Sequence, residues 1–238
     1  MFLPTTAAEV NRLGWDALDV ILVSGDSYID SPFIGAAVIG KVLVDAGYRV
    51  GIIAQPDVSG TADIGRLGEP RLFWGVTAGS VDSMVANYTA LRKKRRSDDY
   101  TPGDENTRRP DRATIVYANL IRRYTKQIRK SANLAAKSPP IVLGGIEASL
   151  RRVAHYDFWD DAVRRSALFD AKADYILYGM AENSVREFAA CRRDGRDPRD
   201  VRGLCYIAKE KRDGYLELPS YETVAGEQAA FTEMCDSF

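Results

Sequence analysis

The chain is predicted to be an α/β protein, with a doubly wound, mainly parallel five-stranded sheet and an irregular C-terminal extension. Three observations carry that class. Short aliphatic runs recur five times along 238 residues. Helical apolar periodicity separates most of them, which is the pattern of strands joined by crossover helices. Four of the runs end in a loop that combines glycine with a polar or acidic residue.

Thr6-Ala7-Ala8-Glu9 is a capping box and predicts a short helix to about Leu13. Residues 19–23 are the first strand, exiting through Ser24-Gly25-Asp26-Ser27-Tyr28-Ile29-Asp30. Ser31-Pro32 supplies an N-cap and a first-turn proline for a helix to about Ala46, closed by Gly47. Residues 49–53 are the second strand, stopped by Gln55-Pro56-Asp57, with a short helix expected at 61–67. The third strand, 72–77, leaves through Ala78-Gly79-Ser80. A helix at 81–91 then places Val81, Met84, Val85 and Tyr88 on one face.

Residues 92–111 break this rhythm. They open with Arg92-Lys93-Lys94-Arg95-Arg96 and continue rich in Pro, Gly, Asp and Asn. A connection of this length is usually functional or mobile, and such a charge run usually reads as a solvated helix end. Helical periodicity returns over 113–136, followed by a strand at 139–144, a helix at 160–169 and a fifth strand at 174–178. That last strand exits through Gly179-Met180-Ala181-Glu182 into a helix reaching about Arg192. The expected division is an α/β domain over 1–193 and, over 194–238, a linker or the start of a further, truncated portion.

Lys plus Arg and Asp plus Glu balance at 33 each, with a pI near 6.6. That argues against a dominant nucleic-acid or membrane footprint, so no membrane partner is expected, and RNA contact through a local patch at Arg92 to Arg96 is only a third, weaker option. No apolar run approaches the roughly 20 residues of a membrane span and no signal pattern opens the chain, which makes cytoplasmic the default. Cys191, Cys205 and Cys235 are widely spaced, and His155 is the single histidine. The set suits neither a disulfide framework nor a CxxC zinc site, so any metal held by this chain alone would be mainly carboxylate-ligated. His155, set among aromatics and acids, reads as a hydrogen-bonded structural residue.

Ligands of parallel α/β sheets sit beyond the carboxyl ends of the strands. The expected binding set is therefore Asp26, Tyr28, Asp30, Thr77, Gly79, Gly144, Gly145, Glu147, Arg151 and Glu182. Glycine admits close backbone approach, and amides at the following helix starts suit phosphate or carboxylate. A pair among Asp26, Asp30, Glu147 and Glu182 can act as acid and base, or hold a ribose or a metal. The plainer alternative is that Asp26 and Glu182 cap helices. No GxGxxG or GxxxxGK[ST] motif is present, which disfavours ordinary dinucleotide or P-loop binding. The third strand ends in Val76-Thr77 and not in an acceptor aspartate, which disfavours a response-regulator receiver. No residue of the chain is expected to be catalytic.

Long segments of the chain resemble the N-terminal part of the YgiQ family of radical SAM proteins. They include Leu13-Gly14-Trp15-Asp16, Gly25-Asp26-Ser27-Tyr28-Ile29-Asp30-Ser31-Pro32, Gly75-Val76-Thr77-Ala78-Gly79 and Arg109-Pro110-Asp111-Arg112-Ala113. The most specific is Leu143-Gly144-Gly145-Ile146-Glu147-Ala148-Ser149-Leu150-Arg151-Arg152. The resemblance implies an enzyme using a 4Fe-4S cluster and S-adenosylmethionine, with the cluster held by a CxxxCxxC motif in a downstream radical SAM domain. This chain has no such motif, so it is expected to lack the catalytic core and to be inactive alone. The layout is also similar to the flavodoxin-like cobalamin-binding domains that precede many radical SAM cores. Their aspartate-x-histidine-x-x-glycine loop has Tyr28 here in place of the histidine, which removes cobalamin's usual lower ligand. A non-catalytic module binding a nucleotide, phosphate or cobalamin is the alternative.

Overall fold

Residues 2–133 and 137–237 are described by a computed structural model. The chain begins with α1 (Ala7–Arg12), β1 (Val20–Ser24), α2 (Gly35–Asp45), β2 (Val50–Ala54), β3 (Phe73–Thr77) and α3 (Ser83–Asn87). It continues with α4 (Ala113–Ala132), β4 (Ile141–Leu143), α5 (Gly145–Leu150), β5 (His155–Asp157) and β6 (Ala162–Arg164). The last elements are α6 (Ala167–Asp170), β7 (Tyr175–Leu177), α7 (Glu182–Arg193), β8 (Leu204–Tyr206), α8 (Tyr221–Gly226) and α9 (Gln228–Asp236).

The main sheet has the order β2-β1-β3-β4-β7-β8. Its first five strands are mutually parallel, and β8 runs antiparallel to β7. Strand alternation sorts the core into two layers. Ile21, Val23, Trp74, Val76, Leu143 and Ile176 pack with Tyr117, Leu120 and Ile121 of α4. Val20, Leu22, Ile52, Phe73, Val142 and Leu177 pack with Leu43 of α2 and with Val185 and Phe188 of α7. Trp74, Tyr117 and Phe188 are fully buried, and each side chain of this kind contributes about 1.5–3 kcal/mol of burial. No helix among the described residues is long and apolar enough to cross a membrane.

The capping box of α1 forms as expected: Thr6 Oγ1 accepts from the Glu9 amide, and Glu9 accepts from the Thr6 amide. Other expectations need correction. The sheet has six strands, because the apolar piece at 204–206 adds β8 to its edge. The C-terminal extension is also not irregular throughout, since it holds β8, α8 and α9. The helix expected from Ser31-Pro32 begins only at Gly35, because Ser31 is used in a turn that accepts the amides of Phe33 and Ile34.

Residues 61–67 form separate turns and no helix, with Gly65 pressed against the Tyr124 ring. The helix expected over 81–91 shrinks to α3, after which Tyr88 is extended. The periodicity at 160–169 conceals the β5–β6 hairpin and the single turn of α6. The helix expected over 113–136 ends at Ala132 with Asn133 in the left-handed conformation, and residues 134–136 lie outside the described ones.

Candidate functional site

At the carboxyl ends of the parallel strands the exit loops interlock through glycine. A side chain at Gly25 would overlap the Ala78 carbonyl, so only glycine lets the β1 and β3 exits meet. Gly79 (φ +116°) sits over the Asp26 carboxylate, and Gly145 (φ +78°) sits against Thr77 Oγ1. Asp26 Oδ2 accepts from the Ser80 amide at 2.6 Å, and Thr77 Oγ1 accepts from the Gly79 amide at 3.2 Å. Strand order reverses between β1 and β3, and a crevice opens at that reversal.

The crevice is a cavity of about 390 Å³ between the sheet edge and the starts of α2 and α7. Its wall is apolar, with Leu22, Phe73 and Val142 from the sheet, Ile34 and Met180 from the approaches to α2 and α7, and Val185 from α7 itself. Its polar groups come from the strand exits. Six of the ten expected residues line it: Asp26, Thr77, Gly79, Gly144, Gly145 and Glu182. Neither α2 nor α7 has a side-chain cap, so their first amides are left to solvent or to a ligand. Glu182 occupies the first turn of α7, whereas α2 has no acidic residue there. The α2 start is therefore the better seat for an anionic group.

The other four lie elsewhere. Tyr28 Oη accepts from the Leu3 amide at 3.0 Å, and Asp30 pairs with Lys41 at 2.8 Å. Glu147 is buried on the opposite side of the strand exits, 1% exposed. Its Oε2 accepts from the Ser83 amide (2.8 Å) and Ser83 Oγ (2.5 Å). Its Oε1 accepts from the Thr114 amide (3.1 Å) and Thr114 Oγ1 (2.6 Å). One carboxylate thus ties α5 to the starts of α3 and α4. Arg151 supports it, 2.7 Å from Asp82 and 3.6 Å from Glu147.

Beneath Asp26 lies a buried network that the sequence reading missed. Arg109, with a fully buried side chain, donates to Asp26 Oδ1 at 2.7 Å, to Asp98 Oδ1 at 3.3 Å and to the Gly25 carbonyl at 3.3 Å. Thr101 Oγ1 donates to Asp98 and accepts from Gln55, which also reaches the Gly25 carbonyl. Residues 92–111 are therefore pinned to the β1 exit. Burial pushes the Asp26 carboxyl above its usual range, against the opposing pull of Ser80 and Arg109. The available signal was an arginine with adjacent aspartates in an otherwise loop-like stretch, which reads equally as solvated.

Cys191 is buried, Cys205 half-buried and Cys235 exposed, and all three are free. Among the described residues no three His, Cys, Asp or Glu side chains gather as metal ligands. The described donors therefore do not fit an iron–sulfur cluster.

Residues 2–238 match the family described as radical SAM N-terminal. The chain belongs to that family. Its relatives include a UPF0313 protein of Fusobacterium nucleatum, 49% identical over 237 residues, covering 100% of this chain and 40% of the relative. A UPF0313 protein of Thermotoga petrophila is 52% identical over 236 residues, covering 98% and 40%. The UPF0313 proteins are the YgiQ family that the sequence resembles. This radical SAM N-terminal chain thus spans about 40% of the length of these curated relatives. Among solved structures it is similar to the radical S-adenosylmethionine methyltransferase TsrM of Kitasatospora setae with cobalamin and a [4Fe-4S] cluster bound. That similarity is 18% in identity with a TM-score of 0.48, covering 81% of this chain and 29% of that one.

The two glycines of the Gly144-Gly145 pair are expected to respond differently to substitution. Gly144 has extended backbone (φ −154°) with no atom closer than 3.6 Å to an added Cβ, so Gly144→Leu should fold and obstruct the cavity. Gly145→Ala forces an L side chain to positive φ against Thr77 and should cost about 1–3 kcal/mol. Urea denaturation of both variants checks this, and equal losses would contradict it.

Proposed function

We propose that the chain is the N-terminal module of a radical SAM iron–sulfur enzyme, folded in the flavodoxin or cobalamin-domain manner. On this reading residues 1–193 form the ligand-binding α/β domain. Residues 194–238 lead into a downstream radical SAM domain, with β8 as the tie across the boundary. The single observation that carries the reading is the cavity of about 390 Å³ at the β1–β3 strand reversal, in a chain of this family. Its apolar wall suits the body of a substrate or accessory cofactor, and the uncapped α2 start suits an anionic end.

The 4Fe-4S cluster and S-adenosylmethionine belong, on this reading, to the downstream portion, since the described residues of this chain offer no cluster ligands. What this chain contributes is binding and orientation. Asp26 and Thr77 fix the mouth of the cavity, and Phe33 (89% exposed) and Met180 (90% exposed) stand at its rim for the downstream domain to cover. Were cobalamin the ligand, Tyr28 would not be among the residues holding it, because its hydroxyl is engaged by the Leu3 amide, and the cavity lining of Asp26, Thr77 and the strand-exit glycines would carry the contacts. The setting is cytoplasmic.

The test is anaerobic reconstitution of the full-length protein, measuring iron, sulfide and reductive cleavage of S-adenosylmethionine. Absence of a cluster after reconstitution would sink the enzyme reading. The uncapped α2 start gives specific support to a second reading, a regulatory module for a nucleotide or phosphate. Thermal-shift titration with cobalamin, S-adenosylmethionine and nucleotides separates the two. Stabilisation by a nucleotide alone, lost in Gly144→Leu, favours the second.

A further inference from the structure

Residues 92–96 form the tip of a tight turn. Tyr88 and Lys94 bridge antiparallel, the Thr89 amide donates to the Lys93 carbonyl at 2.8 Å, and Arg92 (φ +58°) makes the bend. All five side chains are exposed. Arg92 lies 4.5 Å from the centre of the Phe158 ring and donates to the carbonyls of Phe158 and Trp159. Phe158 meets Trp159 at 5.5 Å, and Trp159 meets Tyr88 at 5.0 Å. The turn is thereby fixed beside an aromatic surface on which Phe158 and Tyr156 are 46% and 49% exposed.

The surrounding carboxylates are mostly engaged. Asp98 is held by Arg109 and Thr101, Asp111 by Asn87 and Tyr88, and Asp161 by Tyr156. Asp157 and Asp160 are shared by Arg112 and Arg164. Lys93, Lys94 and Arg96 have no carboxylate partner among the described residues. Asp99, Asp104 and Glu105 lie in the same segment and offset part of the charge, but Arg92, Arg95 and Arg108 add to it.

We infer that this face binds a single-stranded polynucleotide. Unpaired cations supply phosphate contacts, and the exposed rings with the Arg92 guanidinium supply flat surfaces on which bases stack. An acidic peptide would use the charges and leave the rings unused. The balanced net charge of the whole chain is compatible with this, because the patch is local and its attraction is felt within about a Debye length. The inference is independent of whatever occupies the cavity.

Fluorescence anisotropy of the chain with a labelled 20-nucleotide single-stranded RNA tests it. If about four phosphates are engaged, affinity falls about 50-fold between 50 and 200 mM salt. The triple variant Lys93→Gln, Lys94→Gln, Arg96→Gln should keep its melting temperature, because none of these side chains makes an ion pair among the described residues. It should bind at least tenfold more weakly at 50 mM salt, with the salt effect reduced to about threefold. Phe158→Leu should weaken binding about fivefold or more without flattening the salt dependence. Absent binding at 50 mM salt, an unchanged triple variant, or equal binding of a labelled poly-glutamate would each overturn the proposal.

Discussion

Replacing Arg109 with methionine is expected to remove about 3–5 kcal/mol of stability, because it leaves Asp26 and Asp98 buried without their shared counter-charge. The loss should depend on pH with a definite sign. Burial already raises the folded Asp26 above its ordinary value near 3.9, so the folded chain holds this proton more tightly than the unfolded chain does. The Asp26 contribution is therefore greatest below the unfolded value and declines as pH rises through the folded one. Removing Arg109 removes a pull in the opposite direction, so the deficit of the variant should be larger at pH 8 than at pH 5. Urea denaturation at both pH values measures this. Limited proteolysis should report release of residues 92–111 in the variant alone. A loss below about 1 kcal/mol, equal at the two pH values, would mean that the network does not hold that segment.

Glu147→Ala should be comparably damaging. It strips the acceptor from four donors at once: the amides and hydroxyls of Ser83 and Thr114. With one acceptor group lost for two helix starts, a cost of about 3–5 kcal/mol is expected. Glu147→Gln keeps one acceptor oxygen and should cost about 1–3 kcal/mol. The informative measurement is on the glutamine variant, which should retain the affinity of any cavity ligand because Glu147 does not line the cavity. Lost ligand binding with unchanged melting would instead make Glu147 a ligand contact.

These two residues mark the limit of what the sequence discloses. The parallel strands were legible because burial on both faces writes an unbroken aliphatic run, and Asp26 and Gly144 were legible because they follow such runs directly. Glu147 follows one equally closely, but α5 intervenes and directs it to the other side of the sheet edge. That helix has only six residues, and its start, Gly144-Gly145, also reads as a plain loop. Arg109 was harder still. Its partners are 83 and 11 residues away, and nothing in local pattern distinguishes a buried arginine from its solvated neighbours. The β5–β6 hairpin was misread for a related reason, since Val163 and Ala167 stand four apart, as on one face of a helix, while the pairing that decides the matter is tertiary.

The interlocked glycines at the strand exits have a consequence for how such a site diverges. Gly25 is fitted to Ala78, Gly79 to Asp26, and Gly145 to Thr77, so each loop carries the imprint of another. A change of specificity cannot be assembled from independent single steps in one loop, because the first substitution meets a neighbour that has not yet changed. The β1, β3 and β4 exits therefore constrain one another, and new ligands are reached most easily through the wall of Ile34, Met180 and Val185, which is not locked to them in this way.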